Sequence, residues 1–156
     1  MRLRILAVGT RMPRWVDEAV TDYTARMPRH LAVELVEIRP EPRTSGKPAA
    51  ALMEAEAARL RASIPDGSYP VALDERGREL GSAALAEWLE KRASDGRDVA
   101  FLIGGPDGLA PGLIEQCQYR LRLSAFTLPH ALARVVLAEQ LYRAASILAN
   151  HPYHRE

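Results

Sequence analysis

The sequence predicts an α/β fold built on one parallel sheet. Short apolar strand patterns alternate with helical patterns along the whole chain, which is the arrangement of α/β proteins. The run Val99–Ile103 is too apolar for an edge strand and is typical of the centre of a parallel sheet. Polar or glycine-rich turns follow two predicted strands, at the edge where ligand crevices form in open α/β sheets. The length of 156 residues predicts a single domain, residues 1–156.

The first part of the chain contains two predicted strands and two predicted helices. Residues 2–8 form a strand that ends as an apolar run, and Pro13 begins a helix whose apolar positions recur every three or four residues. Residues 31–38 alternate as a second strand. Residues 39–48 contain three prolines and three cations, which predict a mobile basic loop; it could face phosphates or simply be solvated. Residues 49–63 predict an Ala-rich helix.

The middle of the chain predicts a third strand, a turn and a third helix. Tyr69–Asp74 has the apolar, β-branched character of a strand and ends in an acid. The charged residues 75–79 favour a turn. Ser82 is expected to cap a helix that the Asp95-Gly96 pair ends.

The last third predicts two strands and two helices. Val99–Ile103 is the fourth strand, residues 109–118 form a short helix, and residues 120–126 alternate as a fifth strand. Pro129 begins a long helix that is apolar nearly all round, which predicts a covering partner chain and hence a symmetric homodimer. Its expected core face consists of Leu132, Val135, Val136, Tyr142, Ala145 and Leu148.

Composition sets limits on the class of protein. The formal net charge of +1 gives no global positive field that would indicate nucleic-acid binding. Cys117 is the single cysteine, which excludes an internal disulfide framework and favours a reducing compartment. No apolar run approaches the ~18 residues of a membrane helix, and the first residues lack a signal-peptide pattern. We therefore expect a soluble, cytoplasmic protein with no membrane partner.

The glycine loop, residues 104–108, is the first candidate binding motif. It lacks the lysine of a phosphate-binding loop and the glycine spacing of a dinucleotide site. Gly104 and Gly105 would allow a flat ligand to approach the backbone closely, because no Cβ intervenes. A tight strand-to-helix connection explains the same residues without any ligand. The motif alone leaves both interpretations open.

Other polar residues favour neither a hydrolase nor a metal site. Ser124 and Thr127 follow the fifth strand without a Gly-x-Ser-x-Gly elbow, and Thr127 is expected to cap the last helix. His151 and His154 have no further ligand at zinc spacing, so no metal is expected. The tail, residues 150–156, contains two imidazoles, a phenol and a guanidinium. It is either a solvated terminus or, if placed near the glycine loop, a source of donors and a base.

Three motifs together resemble a known family. They are Leu102-Ile103-Gly104-Gly105-Pro106-Asp107-Gly108, Leu123-Ser124-Ala125-Phe126-Thr127-Leu128-Pro129-His130 and Asn150-His151-Pro152-Tyr153-His154-Arg155-Glu156. With the opening residues 7–16 and the overall length, they are similar to bacterial SPOUT-class RNA methyltransferases that methylate N3 of a pseudouridine in 23S rRNA. The resemblance covers nearly the whole chain.

The resemblance implies a fold, a cofactor and site residues. It implies a SPOUT (alpha/beta knot) fold with a C-terminal trefoil knot, a homodimer, S-adenosylmethionine as methyl donor, and 23S rRNA within the ribosome as partner. The implied cofactor contacts are Leu73, Gly104, Leu123, Ser124, Ala125, Phe126, Thr127 and Leu128. We further hypothesise that Tyr153, His154 and Arg155 are catalytic residues that handle the substrate, with His154 as a candidate proton acceptor. Asp107, Phe126 and Ala131 depart from the family pattern, where Glu, Leu and Pro are expected.

Two other functions fit the residues. A flavodoxin-like nucleotide-binding enzyme would place phosphate at residues 104–108. A non-catalytic ribosome-binding module would keep the fold without the chemistry. Binding of S-adenosylmethionine separates both from a methyltransferase.

Overall fold

Five strands form one parallel sheet in the computed structural model, which describes residues 1–155. Every strand pairing is parallel, and the spatial order is β2-β1-β4-β3-β5. All residues of β4 are buried, so the apolar run lies inside the sheet as predicted. The strands are β1 (Leu3–Val8), β2 (Val33–Ile38), β3 (Tyr69–Glu79), β4 (Val99–Ile103) and β5 (Tyr119–Arg122).

Helices cover both faces of the sheet and give the predicted α/β architecture. The α-helices are α1 (Arg14–Ala25), α2 (Ala49–Ser63), α3 (Ser82–Ser94), α4 (Pro111–Gln116) and α5 (His130–Leu148). One core cluster joins alternate residues of β1 and β4 to α1, α3 and α5. The other joins the intervening strand residues to α2 and α4. This division follows from the alternation of side chains along a strand.

Three element boundaries differ from the prediction near the carboxyl edge of the sheet. Residues 75–79 continue β3 instead of forming a turn, because the strand shifts register against β5 between Leu73 and Arg78. Gly77 makes this possible, since a Cβ there would lie 2.7 Å from the carbonyl carbon of Arg120. β5 ends at Arg122, so residues 123–126 leave the sheet. The helix predicted at 109–118 spans only Pro111–Gln116.

The buried face of α5 consists of other residues than predicted, so the predicted core face is wrong. The buried positions are Ala133, Arg134, Leu137, Ala138, Leu141, Ala144, Ala145 and Ser146. Of the predicted set only Ala145 is buried, and Leu148 remains 37% exposed. Apolar residues surround the helix, so the hydropathy pattern does not distinguish its faces. Leu132 and Val136 are only partly buried and therefore leave apolar surface on α5.

The predicted capping of α3 by Ser82 is also wrong. Gly81 occupies the N-cap position, and Ser82 is the first helical residue. The Ser82 hydroxyl instead donates to Oε1 of Gln140 at 2.5 Å. The bond ties α3 to α5 on the same face of the sheet.

The loop at residues 39–48 is anchored in its first half, although its prolines and cations predicted a mobile segment. Arg59 of α2 donates to the carbonyl of Arg39 at 2.9 Å and pairs with Glu41. Arg43 pairs with buried Glu56 of α2. No helix within residues 1–155 has the length and apolarity to cross a membrane.

Candidate functional site

A cleft of about 980 Å³ lies at the carboxyl edge of the sheet, beside the ends of β3, β4 and β5. All five residues of the glycine loop line it. The segment after β5 also lines it, so Gly104 and Thr127 belong to one cleft. Of the residues that the resemblance implies, those at the cleft are Leu73, Gly104, Leu123, Ser124, Phe126, Thr127 and Leu128. Ala125 is exposed and is not among the lining residues.

The glycine loop has a tightly folded shape. A Cβ on Gly104 would lie 2.4 Å from the carbonyl carbon of Gly108, a contact that no side chain makes. The amide of Gly108 donates to the carbonyl of Gly105 at 3.0 Å, and Gly108 has a φ of +83°. The loop therefore needs glycine at Gly104 for space and at Gly108 for conformation.

The segment after β5 is held by its own hydrogen bonds. Arg122 donates through Nε to the carbonyl of Ser124 at 3.0 Å and through Nη2 to that of Ala125 at 3.3 Å. The Ser124 hydroxyl accepts from the amide of Phe126 at 2.9 Å. Ser124 thus stabilises a turn, which agrees with the absence of a hydrolase motif. Phe126 follows it with 84% of its surface exposed.

Thr127 does not cap the last helix as predicted. Pro129 occupies the N-cap position of α5, and no side chain makes a capping hydrogen bond there. Thr127 is exposed and lines the cleft instead. Its hydroxyl is therefore available to a bound ligand.

Apolar and charged side chains both line the cleft. Leu73, Ile103, Leu123 and Leu128 supply apolar surface from β3, the end of β4 and the segment after β5. The carboxylates at the cleft belong to Asp74, Glu75, Asp107 and Glu115, and the guanidinium groups to Arg76, Arg120 and Arg122. Asp107 is the one charged residue of the glycine loop itself. A few polar groups around apolar walls are typical of small-ligand sites.

His130 is a cleft residue that sequence reasoning did not place in the site. It begins α5 and lines the cleft together with Ser124. Burial, and then the positive charge of Arg134, lower the pKa of His130. The lowered pKa favours the neutral form of the imidazole. The position of His130 just after the Ser-x-x-Thr turn could have indicated a role in the site. The sequence, however, did not show in which direction α5 orients its imidazole.

Arg134 connects the start of α5 to the end of β1. It is fully buried and donates to the carbonyl of Gly9 at 2.8 Å and to Glu37 at 2.7 Å. Gly9 has a φ of +127°, and a Cβ there would lie 3.0 Å from Nη2 of Arg134. The turn after β1 is thereby fixed beside His130. A buried arginine inside an apolar helix was not predicted.

Residues 150–155 of the tail lie away from the cleft of their own chain. Asn150, with a φ of +54°, ends α5, and the amide of His151 donates to the carbonyl of Ser146 at 2.7 Å. This left-handed cap turns the chain back along the helix. The Tyr153 hydroxyl then donates to Glu139 at 3.0 Å. Glu139 is nine residues beyond His130, which places the Tyr153 contact about 14 Å further along the helix axis.

The three tail residues have different surroundings. The Tyr153 ring lies 4.6 Å from that of Tyr142, and its pKa is raised by burial and by hydrogen bonds to Tyr23 and Glu139. Nδ1 of His154 is buried without a hydrogen-bond partner among residues 1–155. Arg155 is exposed. None of the three lines the cleft.

Comparison with known proteins identifies the family. The family model for predicted SPOUT methyltransferases matches residues 1–154. The chain belongs to the SPOUT methyltransferase family. The sequence resemblance to this family is therefore confirmed. The alternative of a flavodoxin-like nucleotide-binding enzyme is replaced by a methyltransferase.

Relatives within the SPOUT family match from end to end. The ribosomal RNA large subunit methyltransferase H of Bordetella petrii is 58% identical, and the match covers 99% of each chain. The protein of the same name from Neisseria meningitidis serogroup C is 53% identical over the full length of both. The chain is thus a member of this group of SPOUT enzymes.

Solved structures share the SPOUT fold at lower identity. A probable methyltransferase from Bordetella pertussis aligns with a TM-score of 0.61 and 23% identity, over 92% of this chain and 96% of that one. A putative methyltransferase from Legionella pneumophila, solved with bound cofactor SAM, aligns with a TM-score of 0.51 and 11% identity, over 92% and 66%. Identities this low show the fold alone. No group of three or more His, Cys, Asp or Glu side chains that could hold a metal occurs within residues 1–155.

Proposed function

We propose that the protein transfers a methyl group from S-adenosylmethionine to N3 of a pseudouridine in 23S rRNA, acting on the assembled ribosome. The observation that carries the proposal is the single cleft shared by the glycine loop and the Ser124–Thr127 turn. Relatives 53–58% identical are named as large-subunit rRNA methyltransferases, which supports the RNA substrate. The Legionella relative of the fold binds S-adenosylmethionine, which supports the donor.

The residues of the cleft fit this cofactor. Leu73, Ile103, Leu123 and Leu128 offer apolar walls for adenine, and Gly104 lets the ligand approach the backbone. The glycine loop has no lysine that would bind a phosphate, and its one charged residue, Asp107, pairs with Arg43. A cofactor with a sulfonium and no phosphate needs no such lysine. The bound donor would supply an electrophilic methyl group.

The protein has two tasks in this transfer. It must hold the acceptor nitrogen in line with the methyl group, and it must take the proton from N3. Two imidazoles are candidates for the proton. His130 lies at the cleft with a lowered pKa, and His154 has an unpartnered nitrogen in the tail. Arg155 would bind a phosphate or a base carbonyl, and Tyr153 would hold the tail against Glu139.

A homodimer is part of the proposal because the tail of one chain is remote from its own cleft. The Tyr153 contact is about 14 Å along α5 from His130. Leu132, Val136 and Phe126 leave apolar surface on α5 and the preceding turn. Association through this surface would bury it and bring a tail to the cleft of the partner.

Mixing two inactive variants tests whether the site is shared between subunits. One variant, Gly104→Ala, binds the cofactor weakly, is nearly inactive when the cofactor concentration lies below its own Kd, and has an intact tail; the other lacks residues 153–156 and has an intact cleft. In an equal mixture half of the dimers are heterodimers with one complete site each, which predicts about a quarter of wild-type activity. A tail that acts within its own chain predicts no recovery at all.

The C-terminal trefoil knot implied by the resemblance also belongs to this proposal. From β4 the chain passes beyond β3 to form β5 at the edge of the sheet. α5 then returns across the sheet until Arg134 contacts Gly9 after β1. An experimental electron-density trace of residues 99–148 that shows no threading would reject the knot.

The ribosome is proposed as the substrate because the protein has little net charge. A charge of +1 gives weak sequence-independent attraction to naked RNA. Recognition of a folded ribosomal surface depends on its shape and needs less electrostatic attraction. We expect methylation of 70S particles to exceed that of free 23S rRNA by more than about tenfold. Equal or greater activity on free rRNA would contradict this part of the proposal.

Calorimetry with S-adenosylmethionine tests the first step and separates a non-catalytic ribosome-binding module from an enzyme. We expect saturable binding of one cofactor per cleft. A protein that binds ribosomes but shows no heat with S-adenosylmethionine would be such a module.

A further inference from the structure

An ion pair between Arg43 and the buried carboxylate of Glu56 lies against the glycine loop. Glu56 of α2 has 2% of its side chain exposed, so its carboxylate requires compensation inside the protein. Arg43 donates to it through Nη1 at 2.6 Å and through Nη2 at 3.1 Å. The amide of Glu41 adds a third bond at 3.0 Å. The loop at residues 39–48 therefore supplies these three hydrogen bonds to the carboxylate.

The same guanidinium reaches the glycine loop. Nε of Arg43 donates to Oδ2 of Asp107 at 3.1 Å. A guanidinium is a rigid planar fork, so fixing two of its nitrogens on Glu56 also fixes the direction of the third. Asp107 is thereby held at a set position relative to α2. A lysine ammonium is a single point of charge on a flexible stem and cannot fix both carboxylates in this way.

The loop backbone packs directly on this group. A Cβ on Gly105 would lie 3.1 Å from Val8, 3.4 Å from Oε1 of Glu56 and 3.6 Å from Nη2 of Arg43. Gly105 is buried on that side, whereas the loop lines the cleft on the other. Neither Arg43 nor Glu56 is among the residues that line the cleft.

We propose that Arg43 is a positioning residue for cofactor binding: with Glu56 and Asp107 it forms a clasp that holds the glycine loop in the shape that admits the cofactor. The inference rests on the proposed function, because it concerns the same cleft. Arg43 acts through Asp107 and does not touch the ligand. Loss of the clasp lets the loop move away from β1, which lowers the affinity for S-adenosylmethionine while the remaining catalytic groups stay in place.

The test measures cofactor affinity in Arg43→Gln, Asp107→Asn and the double variant. Calorimetry with S-adenosylmethionine and with its demethylated product needs no turnover. Each single variant should weaken both ligands by about tenfold, because a charge-assisted hydrogen bond is lost. The affinity of the double variant should be no lower than that of the single variant with the lower affinity, since both changes break the same set of contacts. In the methylation assay, KM for the cofactor should rise with kcat nearly unchanged.

Arg59→Ala is the matched control. Arg59 anchors the same loop through Glu41 and the carbonyl of Arg39 but makes no contact with the glycine loop. Its cofactor affinity should stay within about twofold of the wild type. Arg43→Lys should behave like Arg43→Gln, because charge alone does not fix Asp107.

Several outcomes would overturn the inference. If Asp107→Asn weakens binding while Arg43→Gln does not, Asp107 contacts the cofactor itself and no clasp is needed. If the losses in the two single variants add in the double variant, the two residues act separately. If Arg43→Gln fails to fold, Asp107→Asn, Arg43→Lys and their double variant supply the same comparison. Absence of cofactor binding by the wild-type protein would reject the proposed function itself, and is thus distinguishable from failure of the clasp.

Discussion

Replacing Gly104 by alanine tests the role of the glycine loop most simply. The new Cβ would lie 2.4 Å from the carbonyl carbon of Gly108 and 2.7 Å from both its oxygen and the amide nitrogen of Leu109. All three atoms belong to the backbone, so no flexible side chain can move aside. The loop must open by about 1 Å to restore ordinary contact. This distortion would deform the wall that faces Thr127.

The free-energy cost of Gly104→Ala can be expected from the effect of overpacking a closely packed site. Inserting a methyl group into a closely packed site costs about 1–3 kcal/mol. If the loop takes up this strain where the ligand binds, the affinity for S-adenosylmethionine falls by about 10- to 100-fold. The backbone of Gly104 is not in the left-handed region, so the effect is steric and not conformational. Isothermal titration calorimetry measures the affinity, and thermal unfolding shows whether the fold persists.

Gly112→Ala is the matched control. The nearest atom to a Cβ there is Nη2 of Arg61 at 3.7 Å, which is ordinary contact. Gly112 lies in α4 and does not line the cleft, so alanine should raise stability by about 0.5–1 kcal/mol without changing the affinity. A Gly104→Ala protein that binds the cofactor as tightly as the wild type would refute the assignment of this loop as a cofactor wall.

Three further predictions concern residues outside the glycine loop. Arg134→Ala removes a fully buried guanidinium from Gly9 and Glu37 and should lower the free energy of unfolding by about 3 kcal/mol in urea titration; a loss as small as that of exposed Arg14→Ala would contradict it. Burial raises the pKa of the Cys117 thiol to about 11, so alkylation at about pH 8 should be slower than for a free thiol, and stability should fall as pH rises from about 9 toward 11; fast alkylation of the folded protein would be inconsistent. Tyr153→Phe removes the bond to Glu139 and should reduce methylation by about tenfold with cofactor affinity unchanged; full activity would exclude a need for this tether.

The strand pattern could be predicted because burial inside a parallel sheet demands apolar runs. Val99–Ile103 had no polar residue and lies at a fully buried position. The extension of β3 could not be predicted in the same way. Residues 75–79 are charged and resemble a turn, and only the close approach of Gly77 to the backbone of Arg120 makes them a strand. That contact joins residues remote in sequence.

The orientation of α5 was the largest error in the predicted core. Its sequence is apolar on several sides, so periodicity could not select the face that Leu137 and Leu141 occupy. The place of His130 in the cleft depended on this choice. Hydrogen bonds with distant partners, such as Arg43 with Glu56 and Asp107, also leave no pattern in the sequence.

The two turns of the cleft were the most predictable part of the site. Strand ends of a parallel sheet lie at one edge, so Gly104 and Thr127 were expected to share a crevice, and they do. Whether Leu73, Gly104 and residues 123–128 bind the cofactor stays a prediction. So do the roles of Tyr153, His154 and Arg155, whose own chain places them away from the cleft.

The most direct test of the proposed function is to locate the transferred methyl group. Ribosomes from a strain that lacks this protein are incubated with the purified protein and with S-adenosylmethionine carrying a deuterated methyl group, and the 23S rRNA is digested to nucleosides for mass spectrometry. The proposed function predicts that the label appears on N3 of a single pseudouridine, and that the Gly104→Ala protein transfers about tenfold less of it, or less still, when the cofactor is scarce. Label on another nucleoside, or no label on ribosomes to which the cofactor-loaded protein binds, would contradict it.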